Sequence, residues 1–214
     1  MKSDCKAVIF DMDGVIIDSE VLVLKLWSEL EKKYAIPTLV ETAKKCIGIS
    51  MDASREIFKQ TYGEDVPYDQ MREDMRSLFG GRIPDPKPGV RELFDAIKAH
   101  QLPMALATST RLVTVERELK GLGLYDYFDA IVTREMVEKG KPAPDIYLKA
   151  CEALSVDPAD AYGIEDSRNG IFSIASAGMH PILVPDMVPL DDEMRAAAEA
   201  VLPSLIEVRD YLFL

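Results

Sequence analysis

From residue 90 onward, apolar residues at helical spacing alternate with short apolar runs of strand composition. Val90, Leu93, Phe94 and Ile97 share one helical face ahead of LPMALA at 102–107, and a helix through Val115 and Leu119 leads to AIVT at 130–133. Ile146, Ala150, Ala153 and Leu154 precede AYGI at 161–164, and the helical IFSIASA, closed by Gly178, precedes PILV at 181–184. Repeated strand–helix units of this kind predict an α/β fold, a parallel sheet flanked by helices on both faces. The tail is expected to be helical at 191–199 and again after Ser204, where Ser204 and Glu207 have the spacing of a capping box.

The same sheet should take in a strand much earlier in the chain. Residues 7 to 20 read AVIFDMDGVIIDSE, in which Ala7 to Phe10 have the length and composition of a strand buried on both faces. The run stops at Asp11 and Asp13 and is followed at once by Gly14. An acidic turn has this composition. A parallel sheet, however, binds ligands outside the carboxyl ends of its strands, which is where both acids would stand.

Between about 18 and 82 the pattern is helical throughout. Val23, Trp27, Leu30 and Tyr34 make one amphipathic face ending before Pro37, Ile57, Phe58 and Thr61 line another, and Met71, Met75, Leu78 and Phe79 a third. Thr38 and Glu41 have capping-box spacing. RIPDPKPGV at 82–90 reads as a linker. An all-α domain at 18–85 is thus expected as an insertion after the first strand, leaving 1–17 and 86–214 as the core.

With 37 acidic against 25 basic residues and a net charge of -12, the chain is a poor candidate for binding nucleic acid. Cys5, Cys46 and Cys151 lack the spacing of a zinc site or a disulfide framework, so free thiols in a cytoplasmic protein are expected. No run approaches the ~18 apolar residues of a membrane span, and MKSDCK has no apolar segment that would serve as a leader. His100 reads as the end of a surface helix and His180 as a residue preceding a strand.

Four predicted strand tips carry polar groups that parallel strands bring to one edge: Asp11 and Asp13; Thr108, Ser109 and Thr110; Lys139 to Pro142; and Glu165, Asp166 and Ser167. Carboxylates of Asp11, Asp166 and Glu165 are hard oxygen ligands suited to Mg²⁺. The Thr108 hydroxyl can donate to a phosphoryl oxygen, and Lys141 neutralises both phosphate and a carboxylate nucleophile. Asp11 can attack phosphorus while Asp13 trades a proton with the leaving oxygen and then with water. Ser109 offers a backbone amide, Lys139 reads as a solvated charge, and Ser167 either caps the helix starting near Asn169 or meets substrate.

DMDGVIIDSE at 11–20, LATST at 106–110, GKPAPDIY at 140–147 and GIEDSRNGIFSIASAGM at 163–179 resemble, in order and spacing, the motifs of the haloacid dehalogenase-like superfamily. The likeness is to its branch of small phosphatases and β-phosphoglucomutases with a helical cap, and it covers nearly all of the chain. It implies a Rossmann-like core, an aspartyl-phosphate formed on Asp11, and Asp13 as general acid/base with its backbone carbonyl on Mg²⁺. Thr108, Ser109 and Lys141 would bind phosphate. Asp11, Asp13 and Asp166 would hold the metal, with Glu165 a ligand or its support.

Asp13 favours phosphate esters, since dehalogenase relatives lack the second acid. The β-phosphoglucomutases carry a His where this chain has Val23 and a cap-loop Arg where it has Met51. Hydrolysis of a small phosphomonoester, a sugar phosphate or nucleotide-like metabolite, is therefore expected ahead of phosphosugar mutation, and a non-catalytic phospho-ligand binder comes third. Ser50, Met51 and Arg55 are the candidate cap contacts. A monomer without nucleic-acid or membrane partners is expected.

Overall fold

A computed structural model describes residues 2, 5–47 and 49–214. In chain order the elements are β1 (Ala7–Phe10), α1 (Ser19–Tyr34), α2 (Leu39–Lys44), α3 (Met51–Tyr62), α4 (Tyr68–Phe79), α5 (Val90–Ala99), β2 (Met104–Thr108) and α6 (Leu112–Leu122). There follow β3 (Ala130–Thr133), α7 (Asp145–Leu154), β4 (Ala161–Glu165), α8 (Arg168–Ser176), β5 (His180–Leu183), α9 (Asp192–Ala197), β6 (Ala200–Val201) and α10 (Leu205–Phe213). The chain divides into two compact units, residues 1–18 with 85–214, and residues 19–84.

The first unit is built on a six-stranded sheet in the order β3-β2-β1-β4-β5-β6, every pairing parallel. Period-two alternation sends successive residues to opposite faces. Val8, Phe10, Met104 and Leu106 join the cluster of α5, α6 and α10, whereas Ala7, Ile9, Ala105 and Ala107 face Ile146, Tyr147 and Ala150 of α7. Phe10 and Phe94 meet edge to face at 5.0 Å. The alanines on the second face let α7 lie close to the sheet, and all four residues of β1 are fully buried.

The core boundaries follow from local chemistry. β2 begins at Met104 rather than at Leu102, because Leu102 N–H closes the turn after α5 on Ile97 O at 3.2 Å and Pro103 has no N–H to give. Met104 N–H is taken by the Asp129 carboxylate at 2.8 Å. In the tail the helix expected at 191–199 stops at Ala197, and the chain turns into β6, a two-residue strand too short to leave a periodic signal. His100 caps the end of α5 and stacks on Phe213 at 4.4 Å, and His180 opens β5 stacked on Tyr162 at 4.6 Å, so both histidines are used in packing.

The second unit, α1 to α4, packs around Leu26, Trp27, Leu30, Phe58, Met71 and Met75. Phe58 centres the aromatic contacts, 5.1 Å from Trp27 and 4.9 Å from Tyr68. The expected Thr38–Glu41 capping box does not form. Thr38 sits at φ 69° with no side-chain cap; its hydroxyl lies 3.2 Å from the Tyr62 hydroxyl, and Glu41 pairs with Lys44 at 2.8 Å. Ser204 does cap α10, accepting from Ile206 N–H at 3.1 Å, while its hydroxyl is held by Glu207. Among the described residues no helix is long and apolar enough to cross a membrane.

Candidate active site

The strand order reverses between β1 and β4, the place where an open parallel sheet leaves a crevice at its carboxyl edge. Phe10 pairs with Ile164, and Asp11 N–H donates to Ile164 O at 3.0 Å, so Asp11 and Glu165 emerge side by side. Between them stands Lys141, its Nζ 2.6 Å from Asp11 Oδ1 and 2.6 Å from Glu165 Oε1. Side-chain exposure of the three is 7% for Lys141, 11% for Asp11 and 0% for Glu165, so water scarcely screens the pairing.

Glu165 is saturated with donors. Oε1 also accepts from the Tyr147 hydroxyl at 3.2 Å, and Oε2 accepts from Asp166 N–H, Ser167 N–H and the Ser167 hydroxyl at 3.0, 2.9 and 2.9 Å. Burial alone would raise this carboxyl, but the Lys141 ammonium and the Ser167 donors hold it below its ordinary value. Burial likewise opposes the charge on Lys141, yet Asp11 and Glu165 keep its value well above the usual one. Asp11 goes the other way: burial, against the pull of Lys141, pushes it up to about 7. Asp166 is raised well above its usual range by burial and by the charges of Glu165, Asp11 and Asp186.

Oxygens of Asp11, Glu165 and Asp166 lie within 4.8 Å of one another, with Lys141 as the cation that pairs with Asp11 and Glu165. Three clustered acids against one ammonium leave an excess of negative charge, and the donors are all hard oxygens; the set fits a divalent cation such as Mg²⁺. Asp11 and Asp166 are the members with acceptor capacity to spare. Gly14, at φ +75°, leaves the room: a Cβ there would fall 2.2 Å from Asp166 Oδ2.

The remaining tip residues divide by exposure. Thr108 is fully buried and its Oγ1 accepts from Thr110 N–H at 3.0 Å, whereas Ser109 is exposed. The Asp13 carboxylate stands outside the acidic triad and accepts from the Thr110 hydroxyl at 2.6 Å. Sequence reasoning placed Thr110 at this tip without a role; the hydroxyl run TST was its only signal. Lys139 is exposed, as a solvated charge would be, and Ser167 caps α8 on Gly170 N–H at 3.1 Å.

The three candidate cap contacts belong to the helical unit. Ser50 is the N-cap of α3, accepting from Ala53 N–H at 3.2 Å, which occupies its hydroxyl oxygen. Met51 is 47% exposed. Arg55 is paired with Asp52 at 3.1 Å and Asp69 at 2.6 Å. Arg72 of α4, which the sequence reading passed over, lines a pocket in this unit.

A doubly wound parallel sheet with an acid–lysine–acid bridge at its switch point defines a hydrolase core of the kind that works at a strand tip. Residues 8–184 match the haloacid dehalogenase-like hydrolases, and the chain belongs to that family as an enzyme of the phosphatase type. It is 32% identical over 181 residues to a phosphorylated carbohydrates phosphatase of Thermotoga maritima, covering 83% of each chain. It is 34% identical over 195 residues to a beta-phosphoglucomutase of Bacillus subtilis, covering 86% of this chain and 85% of that one. The crystal structure of a HAD family hydrolase from Deinococcus radiodurans, with bound phosphate and sodium, superposes with a TM-score of 0.85 at 26% identity, over 99% of this chain and 96% of that one.

Proposed function

We propose that the protein hydrolyses a small phosphomonoester, a sugar phosphate or nucleotide-like metabolite, through an aspartyl-phosphate. The carrying observation is Lys141 bridged between Asp11 and Glu165 at 2.6 Å on each side. Glu165 fixes the ammonium, and the ammonium neutralises Asp11 enough for its carboxylate to approach an anionic ester. Asp11 attacks phosphorus and the ester oxygen leaves with the proton of Asp13. Asp13 then takes a proton from water, whose oxygen attacks phosphorus, breaks the acyl phosphate and regenerates Asp11. Thr108 and Lys141, with the Ser109 backbone, hold the phosphoryl oxygens. Asp11, the Asp13 carbonyl and Asp166 would hold Mg²⁺, which would supply positive charge for those oxygens.

The core at 1–17 and 86–214 carries these steps, and the inserted helices at 18–85 serve as the specificity-giving cap, with Ser50, Met51 and Arg55 as candidate substrate contacts. The enzyme acts as a monomer on a small metabolite; its free thiols favour the cytoplasm. A panel of sugar phosphates and nucleotides, assayed for phosphate release with and without a chelator, tests this reading. Chelator-sensitive turnover that disappears in Asp11→Asn is expected; undiminished turnover in that variant would remove Asp11 as nucleophile.

The 34% identity to a beta-phosphoglucomutase supports a second reading, phosphoryl transfer between sugar hydroxyls. Val23 and Met51 provide no charge for a second phosphate. Conversion of β-glucose 1-phosphate with a bisphosphate primer into glucose 6-phosphate, without free phosphate, would reverse the choice.

A further inference from the structure

The helical unit contains a pocket of about 250 Å³, just below the ~300–1,000 Å³ usual for small-molecule sites. Its walls are mainly apolar: Val23, Leu24 and Trp27 of α1 face Ile47, Met51 and Phe58. Val23 and Met51 both line this pocket and make it greasy. Met51 at 47% and Ile49 at 42% exposure extend the apolar surface outward.

Two charged residues line this pocket. Glu20, in the first turn of α1, already has a partner. Arg72 differs: its Nε is buried with no hydrogen-bond partner among the described residues. The Ser54 hydroxyl, also in the wall, is used on Ser50 O at 3.0 Å. A buried guanidinium N–H left without an acceptor is costly, and a planar fork of donors matches a carboxylate or phosphate best. A polyol would find few polar partners here, since most of the wall is hydrocarbon and ring faces.

We propose that this pocket binds a compact organic acid, its anionic group on Arg72 and its apolar or aromatic body against Trp27, Phe58 and Met51. The acid is a ligand of the helical unit in its own right, and its binding does not need Asp11.

Trp27 is the chain's single tryptophan, so its emission reports on this pocket alone. Phenylacetate and its neutral isostere phenylacetamide are titrated into the full-length protein. A saturable change in emission is expected, with the acid bound at least about tenfold tighter than the amide, the gain typical of a hydrogen bond to a charged group. Arg72→Met should abolish that preference and Arg72→Lys should keep part of it. Equal affinity for acid and amide in the wild-type protein, or no saturable change, overturns the proposal even where a variant fails to fold. Failure of the fluorescence test leaves the phosphatase reading intact, because that reading stands on Asp11.

Discussion

Gly170 lies directly against Glu165: a Cβ on Gly170 would fall 1.6 Å from Glu165 Oε1. Oε1 is the oxygen that holds Lys141, so the absence of a side chain in the first turn of α8 is what lets β4 deliver its last carboxylate to the ammonium.

Gly170→Ala would ordinarily stabilise a helix by about 1 kcal/mol. Here it should destabilise, because displacing Glu165 breaks a buried ion pair worth about 3–5 kcal/mol when one partner is lost. Thermal unfolding should show a clearly lower midpoint, with phosphate release falling in parallel. A midpoint at or above wild type would show that Glu165 can move aside freely.

Asp11, pushed up to about 7 by burial, and Asp166, raised well above its usual range by burial and neighbouring acids, favour the folded state when protonated. In metal-free protein this contribution is fully present below the ordinary carboxylate value of about 4 and is lost as pH rises through 7. A divalent cation must displace those protons, so its binding strengthens over the same range. The rise in thermal midpoint on adding Mg²⁺ should be larger at about pH 8 than at about pH 5; the reverse order would contradict Asp11 and Asp166 as the metal-holding carboxylates.

Thr110 holds Asp13 through a 2.6 Å hydrogen bond from its hydroxyl. Thr110→Val keeps the shape and removes the donor, and a hydrogen bond to a charged group is worth about 1.5–3 kcal/mol. kcat should fall roughly tenfold or more with KM little changed. A change confined to KM would mean that Thr110 meets substrate instead of orienting Asp13.

The thiols should be sluggish. Cys5 and Cys151 are buried, burial pushes Cys151 up to about 11, and burial raises Cys46 despite the nearby Arg72 charge. Little thiolate exists near neutral pH under those conditions. A disulfide reagent should titrate native protein slowly and release all three equivalents only after denaturation; rapid stoichiometric reaction of native protein would contradict this burial.

The strand tips were legible in sequence because each ends an apolar run, and apolar runs mark parallel strands irrespective of tertiary context. What escaped depended on contacts at a distance. Arg72 lies among Tyr68, Met71 and Met75 at helical spacing, a pattern that points inward, but a charged residue in an acidic chain reads as a solvated face. Thr38 and Glu41 have the letters of a capping box, yet the backbone at Thr38 turns left-handed and its hydroxyl faces Tyr62. β6 adds a strand with two residues, held by Glu199 N–H on Pro181 O and Leu202 N–H on Leu183 O at 2.8 and 2.9 Å.

Where the chain leaves the core and where it returns, Ile17 and Pro86 form an antiparallel bridge, flanked by Asp18 N–H on Asp85 O and Lys87 N–H on Ile16 O, each at 2.8 Å. An excursion whose ends are already fastened together burdens its host only through closure entropy, about 0.6 kcal/mol for each doubling of length. Everything beyond that clasp can be lengthened, shortened or exchanged at that small cost while the strand pairings of the sheet stay as they are.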